Sequence, residues 1–290
     1  MKQHIYVIGD IHGGWQPVRN FVQRAPYLFR QKDAGDENVL ICLGDFGGNY
    51  FGNHRDDEFK KKLGKYPFTY FIVRGNHEER PSICAEKNPD KWHKESFWDG
   101  FVWVENNYPY IKYAEDFVSF YYIPAGLDYV SPENSSDDDI EVQKYYKTLV
   151  IPGAYSVDKY RRLEAGWGWF PQEQLSENER LTGLSLIERH GWKCDLVLSH
   201  TCPIIYEPTD LFLSVVDQSM VEKDMERYLG QIEYQLDYKV HLWGHYHQYR
   251  EYPRTIGIPC KEKPRQLMLF NDCAVELNDV MFNENLVNRL

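Results

Sequence analysis

The sequence predicts a layered α/β protein, and three observations carry that expectation. Apolar runs at residues 5–8, 39–43 and 68–73 are continuous enough to be strands covered on both faces. Each run stops at glycine and polar groups: Gly9-Asp10-Ile11-His12 after the first, Gly44-Asp45 after the second and Arg74-Gly75-Asn76-His77-Glu78 after the third. Helical spacing of apolar residues separates the first run from the second.

The first run delivers Asp10 and His12 to its own C-terminal end. Two residues apart in near-extended chain, they can point the same way and share one ion. Trp15, Val18, Phe21, Val22, Ala25 and Leu28 then recur at three- and four-residue intervals and predict one helix. Its N-terminus would lie beside Asp10 and His12 and favour anions. Between Val102 and Ile123, short aromatic and β-branched runs broken by Asn, Pro and Asp read as antiparallel hairpins. A loop-rich excursion is expected around residues 128–175, beginning with the acidic run Glu133 to Asp139.

Ser176 and Glu179 form a capping-box signature for a helix from about Glu177 to His190. Strand character returns at Leu196-Val197-Leu198 and closes on Ser199-His200. Ser219 and Glu222 give a second capping-box signature, ahead of Val221, Met225, Tyr228, Leu229, Ile232 and Leu236 at helical spacing. Residues 239–243 form a last buried run, followed by Gly244-His245-Tyr246-His247. Short apolar runs at Leu267 to Phe270 and Ala274 to Leu277 read as edge strands. No repeat or linker divides the chain, so one domain over 1–290 is expected.

With 290 residues, 42% of them hydrophobic, the chain can bury a large core unaided. No apolar segment approaches the length of a bilayer span, and the N-terminus enters a strand at once. A soluble, unexported, cytoplasmic protein is the expectation. Cys42, Cys84, Cys194, Cys202, Cys260 and Cys273 are scattered without a close pair and read as reduced thiols. The balance of 33 basic against 44 acidic residues, a net −11, argues against long nucleic acid as a partner.

Asp10 and His12, Asp45, Asn76 and His77, His200, and His245 with His247 thus follow five apolar runs in order, mostly beside glycine. As an ordered set they resemble the motifs of the calcineurin-like metallophosphoesterase family. That resemblance implies a four-layer fold, two mixed β-sheets in a sandwich flanked by helices, with two metal ions at the strand ends. It implies that Asp10, His12 and His247 bind one metal, that Asn76, His200 and His245 bind the other, and that Asp45 bridges them. An anionic bridge would offset the repulsion between two dications. Nitrogen and oxygen ligands without thiolate suit Mn, Fe or Zn. The implied activity is hydrolysis of a phosphomonoester or a small nucleotide-type phosphodiester, by attack of a metal-bridging hydroxide. Protein phosphatase, nuclease and a catalytically silent scaffold or binding protein are the alternatives. The implied partner is a phosphorylated small molecule, a nucleotide or an exposed phosphoester, with no membrane. His77 would protonate the leaving oxygen or, failing that, orient Asn76.

Gly44-Asp45-Phe46-Gly47-Gly48-Asn49 lacks the Asp-Arg-Gly triplet that follows in the Ser/Thr protein phosphatases, although residues 74–78 resemble theirs. This departure argues against that subfamily and leaves His77 without its usual carboxylate partner. Asn49 either touches substrate or closes a turn. The stretch from Gly153 to Arg162 is similar to a subset of bacterial and phage metallophosphoesterases. There Lys159, Arg161 and Arg162 either hold a charged group of the substrate or open a helix with exposed pairs.

Overall fold

A computed structural model describes residues 2–126, 144–253, 265–271 and 274–282. The acidic run Glu133 to Asp139, with Cys260 and Cys273, lies outside them. The chain opens with strand β1 (Gln3–Ile8), helices α1 (Gln16–Arg24) and α2 (Tyr27–Asp33), β2 (Glu37–Leu43), α3 (His54–Leu63), β3 (Thr69–Val73) and α4 (Pro81–Lys87). The strands β4 (Trp92–Phe97), β5 (Gly100–Glu105), β6 (Ile111–Ala114), β7 (Ser119–Pro124) and β8 (Tyr145–Ile151) follow. Then come α5 (Lys159–Ala165), α6 (Glu177–Arg189), β9 (Leu196–Ser199), α7 (Asp224–Gln235) and β10 (Val240–Trp243). The chain's described end comprises β11 (Arg250–Pro253), β12 (Arg265–Met268), β13 (Val275–Glu276) and α8 (Leu277–Phe282).

These strands build two mixed sheets, in the orders β13-β1-β2-β3-β6-β5-β4 and β11-β12-β10-β9-β8-β7. Successive side chains on a strand point to opposite faces, so each fully apolar strand serves two cores. Val7, Ile41 and Phe71 meet Val150, Leu198 and Leu242 between the sheets. Their neighbours Tyr6, Ile8, Leu40 and Tyr70 pack outward on Val18, Phe21, Leu28, Phe59 and Leu63 of the first helices. On the opposite side Leu149, Ile151 and Val197 pack on Ile187 of α6 and on Met225, Leu229 and Ile232 of α7. The result is a helix–sheet–sheet–helix stack. Strands β1, β2 and β3 run parallel, as do β8, β9 and β10, so several C-terminal ends share an edge.

Four expectations need correction. The first helix is two, because Pro26 lacks an N–H and holds Ala25 out of helical geometry (φ −123°, ψ 62°). Ser219 caps nothing: its hydroxyl and backbone N–H both donate to Asp217, and α7 begins only at Asp224. The loop-rich excursion contains a buried strand, β8, paired with both β7 and β9. Strand β12 is internal, between β10 and β11, whereas β13 does lie at an edge. The Ser176–Glu179 capping box forms in both directions.

Candidate metal centre

The ends of β1, β2 and β3 in one sheet and of β9 and β10 in the other converge on one spot. Asp10 and Asp45 are almost completely buried there. Both Asp10 carboxylate oxygens accept from the His245 backbone N–H at 3.0 Å, and Asp45 Oδ1 accepts from the His77 backbone N–H at 2.8 Å. The close approach depends on glycine at positions 44, 75 and 244. A Cβ on Gly44 would sit 2.0 Å from His200 Nδ1, and one on Gly244 would sit 2.1 Å from Asp10 Oδ1.

The backbone here is strained. His12, Asp45, His245 and His247 adopt left-handed φ values of +47°, +45°, +70° and +55°. Non-glycine residues pay for that conformation, and such residues concentrate where function over-determines the structure.

Three sets of donor atoms come close enough to hold a cation: Asp10, His12 and His247; His12, Asp45 and His77; and Asp10, Asp45 and His200. Asp45 Oδ1 lies 3.4 Å from His200 Nε2, and its Oδ2 lies 3.9 Å from both His12 Nδ1 and His77 Nε2. His12 Nε2 approaches His247 Nε2 to 2.9 Å. Asn76 Oδ1 is 2.8 Å from His200 Nε2. His245 belongs to none of the three sets, but its Nδ1 is 3.3 Å from His200 Nε2.

Among the described residues, Asp10 and Asp45 form ion pairs with imidazoles alone, never with Lys or Arg. Buried carboxylates are paired or coordinate metals, so this donor set fits divalent cations. Burial alone would raise the Asp45 carboxyl, but His200 and His77 outweigh it and hold it well below the usual range. For His200, burial opposes protonation, and the fields of Asp45 and Asp10 overcome it to lift the imidazole to about 9. A field that retains a proton there also favours a metal ion in its place. Burial, followed by the positive charge of His200, keeps His245 well below an ordinary imidazole. Burial likewise lowers His77, against the pull of Asp45.

A chain of donors fixes Asn76. Its Nδ2 donates to Ser156 Oγ at 2.9 Å, and Ser156 Oγ donates to Glu173 Oε2 at 2.5 Å. Glu173 also accepts from the Ser156 backbone N–H at 3.1 Å and from Trp169 Nε1 at 3.0 Å. Sequence reasoning missed Ser156 and Glu173. The one available signal was a serine inside a stretch already marked at Gly153 to Arg162.

A cavity of about 420 Å³ opens over this centre, lined on one side by His12, Asp45, Asn76, His77, His245 and His247. Arg162 also lines it. Its Nη2 lies 3.5 Å from His77 Nε2, its Nε donates to Asp158 at 2.7 Å and its Nη1 donates to the Tyr50 hydroxyl at 2.8 Å. Asn49, Lys159 and Arg161 do not line it. Asn49 is buried, with its Oδ1 accepting from the Tyr113 hydroxyl at 3.5 Å. Lys159 lies over Trp169 at 4.6 Å, and the Arg161 guanidinium lies over Trp167 at 5.7 Å. Helical spacing separates Arg161 from Arg162, since adjacent positions on α5 point about 100° apart.

The family model for calcineurin-like phosphoesterases matches residues 3–249, and the chain belongs to that family. It is therefore a metal-dependent phosphoesterase, a hydrolase acting on phosphoester bonds. Among solved structures it is similar to phosphopantetheinyl hydrolase (PptH) from Mycobacterium tuberculosis, at 11% identity with a TM-score of 0.44. That match covers 98% of this chain and 94% of the other. It is also similar to the protein TT1561 of Thermus thermophilus, at 11% identity with a TM-score of 0.45, covering 94% and 91%. No curated protein matches its sequence. No helix among the described residues is long and apolar enough to cross a membrane.

Proposed function

We propose that the chain hydrolyses a phosphomonoester or a small nucleotide-type phosphodiester at a dinuclear metal centre. The observation that supports this most directly is the position of Asp45, a buried carboxylate within 4 Å of imidazoles from both sheets and from the end of β3. Asp10, His12 and His247 would hold one cation, Asn76, His200 and His245 the other, and Asp45 would face both. When bound, two divalent cations supply Lewis acidity toward phosphoryl oxygens and lower the pKa of water. Mn, Fe and Zn all suit the donor set.

The protein's own groups then position and protonate. Arg162 is oriented by Asp158 and Tyr50, so its remaining guanidinium edge would meet phosphoryl oxygens with little loss of side-chain freedom. His77, beside that edge, would give its proton to the departing oxygen. Phosphate contact by Asn49, Lys159 or Arg161 is not part of this reading, because their side chains are engaged away from the cavity.

Metal analysis of protein purified without chelator, combined with hydrolysis assays on p-nitrophenyl phosphate and bis-p-nitrophenyl phosphate, tests the proposal. Two equivalents of metal and turnover of at least one ester are expected. Bound metal without turnover of any ester would point to a scaffold that keeps the site and has lost the reaction.

A further inference from the structure

Opposite the carboxylates and imidazoles, the same cavity has a wall of different chemistry. The segment between β9 and α7 makes short turns at Ile204–Tyr206, Thr209–Leu211 and Gln218–Met220. From it Leu211, Phe212, Leu213, Val216 and Val221 face the cavity. Leu213 leaves 60% of its surface in water, and Val216 is partly exposed. Exposed apolar groups gathered beside a polar centre mark a place where something apolar binds.

The wall is joined to the metal centre. Phe212 stacks on Tyr246, with ring centroids 6.4 Å apart, and Tyr246 packs edge-on against His245 at 4.9 Å. Lys223 Nζ sits 4.5 Å from the centre of the Phe212 ring and is anchored by Glu207 at 2.6 Å, which fixes that ring in place. Charge narrows the occupant further. Apart from imidazoles, the cations lining the cavity among the described residues are Arg162 and Lys223, held by Asp158 at 2.7 Å and Glu207 at 2.6 Å. Glu222 and Glu226 line it as carboxylates. With Arg162 taken by the reacting phosphoryl group, a second anionic group, such as a polyphosphate or a continuing nucleic-acid backbone, would find only Lys223 among the described non-imidazole cations of the cavity, already paired with Glu207.

We propose that Phe212, Leu213, Val216 and Val221 form a subsite for the organic group of the phosphoester, so that the substrate carries an uncharged apolar group on its phosphate. The inference rests on the phosphoesterase reading above. It adds which half of the cavity distinguishes one phosphoester from another.

The experiment measures kcat/KM of the full chain, supplied with Mn²⁺, on monoalkyl phosphates from methyl to hexyl. Alkyl p-nitrophenyl phosphodiesters of the same chain lengths are run in parallel. In whichever series is turned over, kcat/KM should rise about threefold to fourfold per methylene, as burial of each CH₂ requires. The double variant Leu213→Ser, Val216→Ser should flatten that slope. A flat slope in the unmodified protein would overturn the subsite while leaving the phosphoesterase reading intact. An undiminished slope in the variant would overturn the assignment to these residues. Failure to hydrolyse either series by protein that turns over p-nitrophenyl phosphate or bis-p-nitrophenyl phosphate would overturn the subsite alone, whereas failure on every ester with metal bound would overturn the phosphoesterase reading and the subsite with it.

Discussion

An asparagine amide has two ends of nearly equal shape and opposite chemistry, so something must choose which end of Asn76 faces His200. Ser156 makes the choice. Its hydroxyl proton is committed to Glu173, which leaves a lone pair to accept from Asn76 Nδ2 and turns Oδ1 toward His200. Ser156→Ala should release that constraint and weaken metal binding at this position about tenfold to a hundredfold, whereas Ser156→Thr should retain the hydroxyl and most of the affinity. Titration of the metal-free variants with Mn²⁺ checks this, and equal affinity in wild type and Ser156→Ala would remove Ser156 from the site. His77 calls for a leaving-group comparison. With a proton donor removed, esters with alkoxide leaving groups suffer and esters with stabilised phenolates do not. His77→Asn should therefore lose on the order of 10²–10⁴ in kcat on alkyl phosphoesters, and much less on p-nitrophenyl esters. Equal losses with metals still bound would mean that His77 holds the phosphoryl group and protonates nothing. The sequence announced Asn76 and His77 through an apolar run that ends in polar groups. It could not announce Ser156, because a partner 80 residues away leaves no trace in local spacing.

At the scale of elements, α5 presents two adjacent arginines to different surroundings. Arg162→Ala should raise KM for a phosphoester by about tenfold, from the loss of a charge-assisted contact of about 1.5 kcal/mol. Arg161→Ala should change KM less than twofold, since Arg161 lies over Trp167 outside the cavity. Steady-state kinetics on one ester separate the two, and equal effects would contradict the placement of α5. Other elements show why boundaries were harder to read than strands. Pro26 splits a helix whose apolar spacing runs on across it, because the same face of the chain still packs on the sheet. Strand β8 was hidden by the polar residues before it, although Leu149-Val150-Ile151 carried a strand signal. At Ser219, side-chain chemistry permitted a cap, but Asp217 was nearer and took both donors.

For the molecule as a whole, the stacking of two sheets was legible only through family resemblance. Continuous apolar strands say that both faces are covered, not by what. Which sheet each donor comes from is likewise a tertiary fact, and it matters for stability. Asp10, His12, Asp45, Asn76 and His77 follow strands of one sheet, while His200, His245 and His247 follow strands of the other. The bound ions would then act as a clasp on one rim of the sandwich, and the leaves could part there when the clasp is opened. Metal bound to the folded state alone adds about 2.7 kcal/mol at a free concentration one hundred times Kd. For a chain of this size that corresponds to a rise in Tm of roughly 4 °C, which a thermal scan with and without Mn²⁺ will show. Amide hydrogen exchange should localise the effect. Chelation should accelerate exchange at residues 244–247 and 10–13, where the rims meet, and leave Val150 and Leu198 in the middle of the sandwich as protected as before. Uniform acceleration throughout would mean that the ions support the whole fold and not its rim.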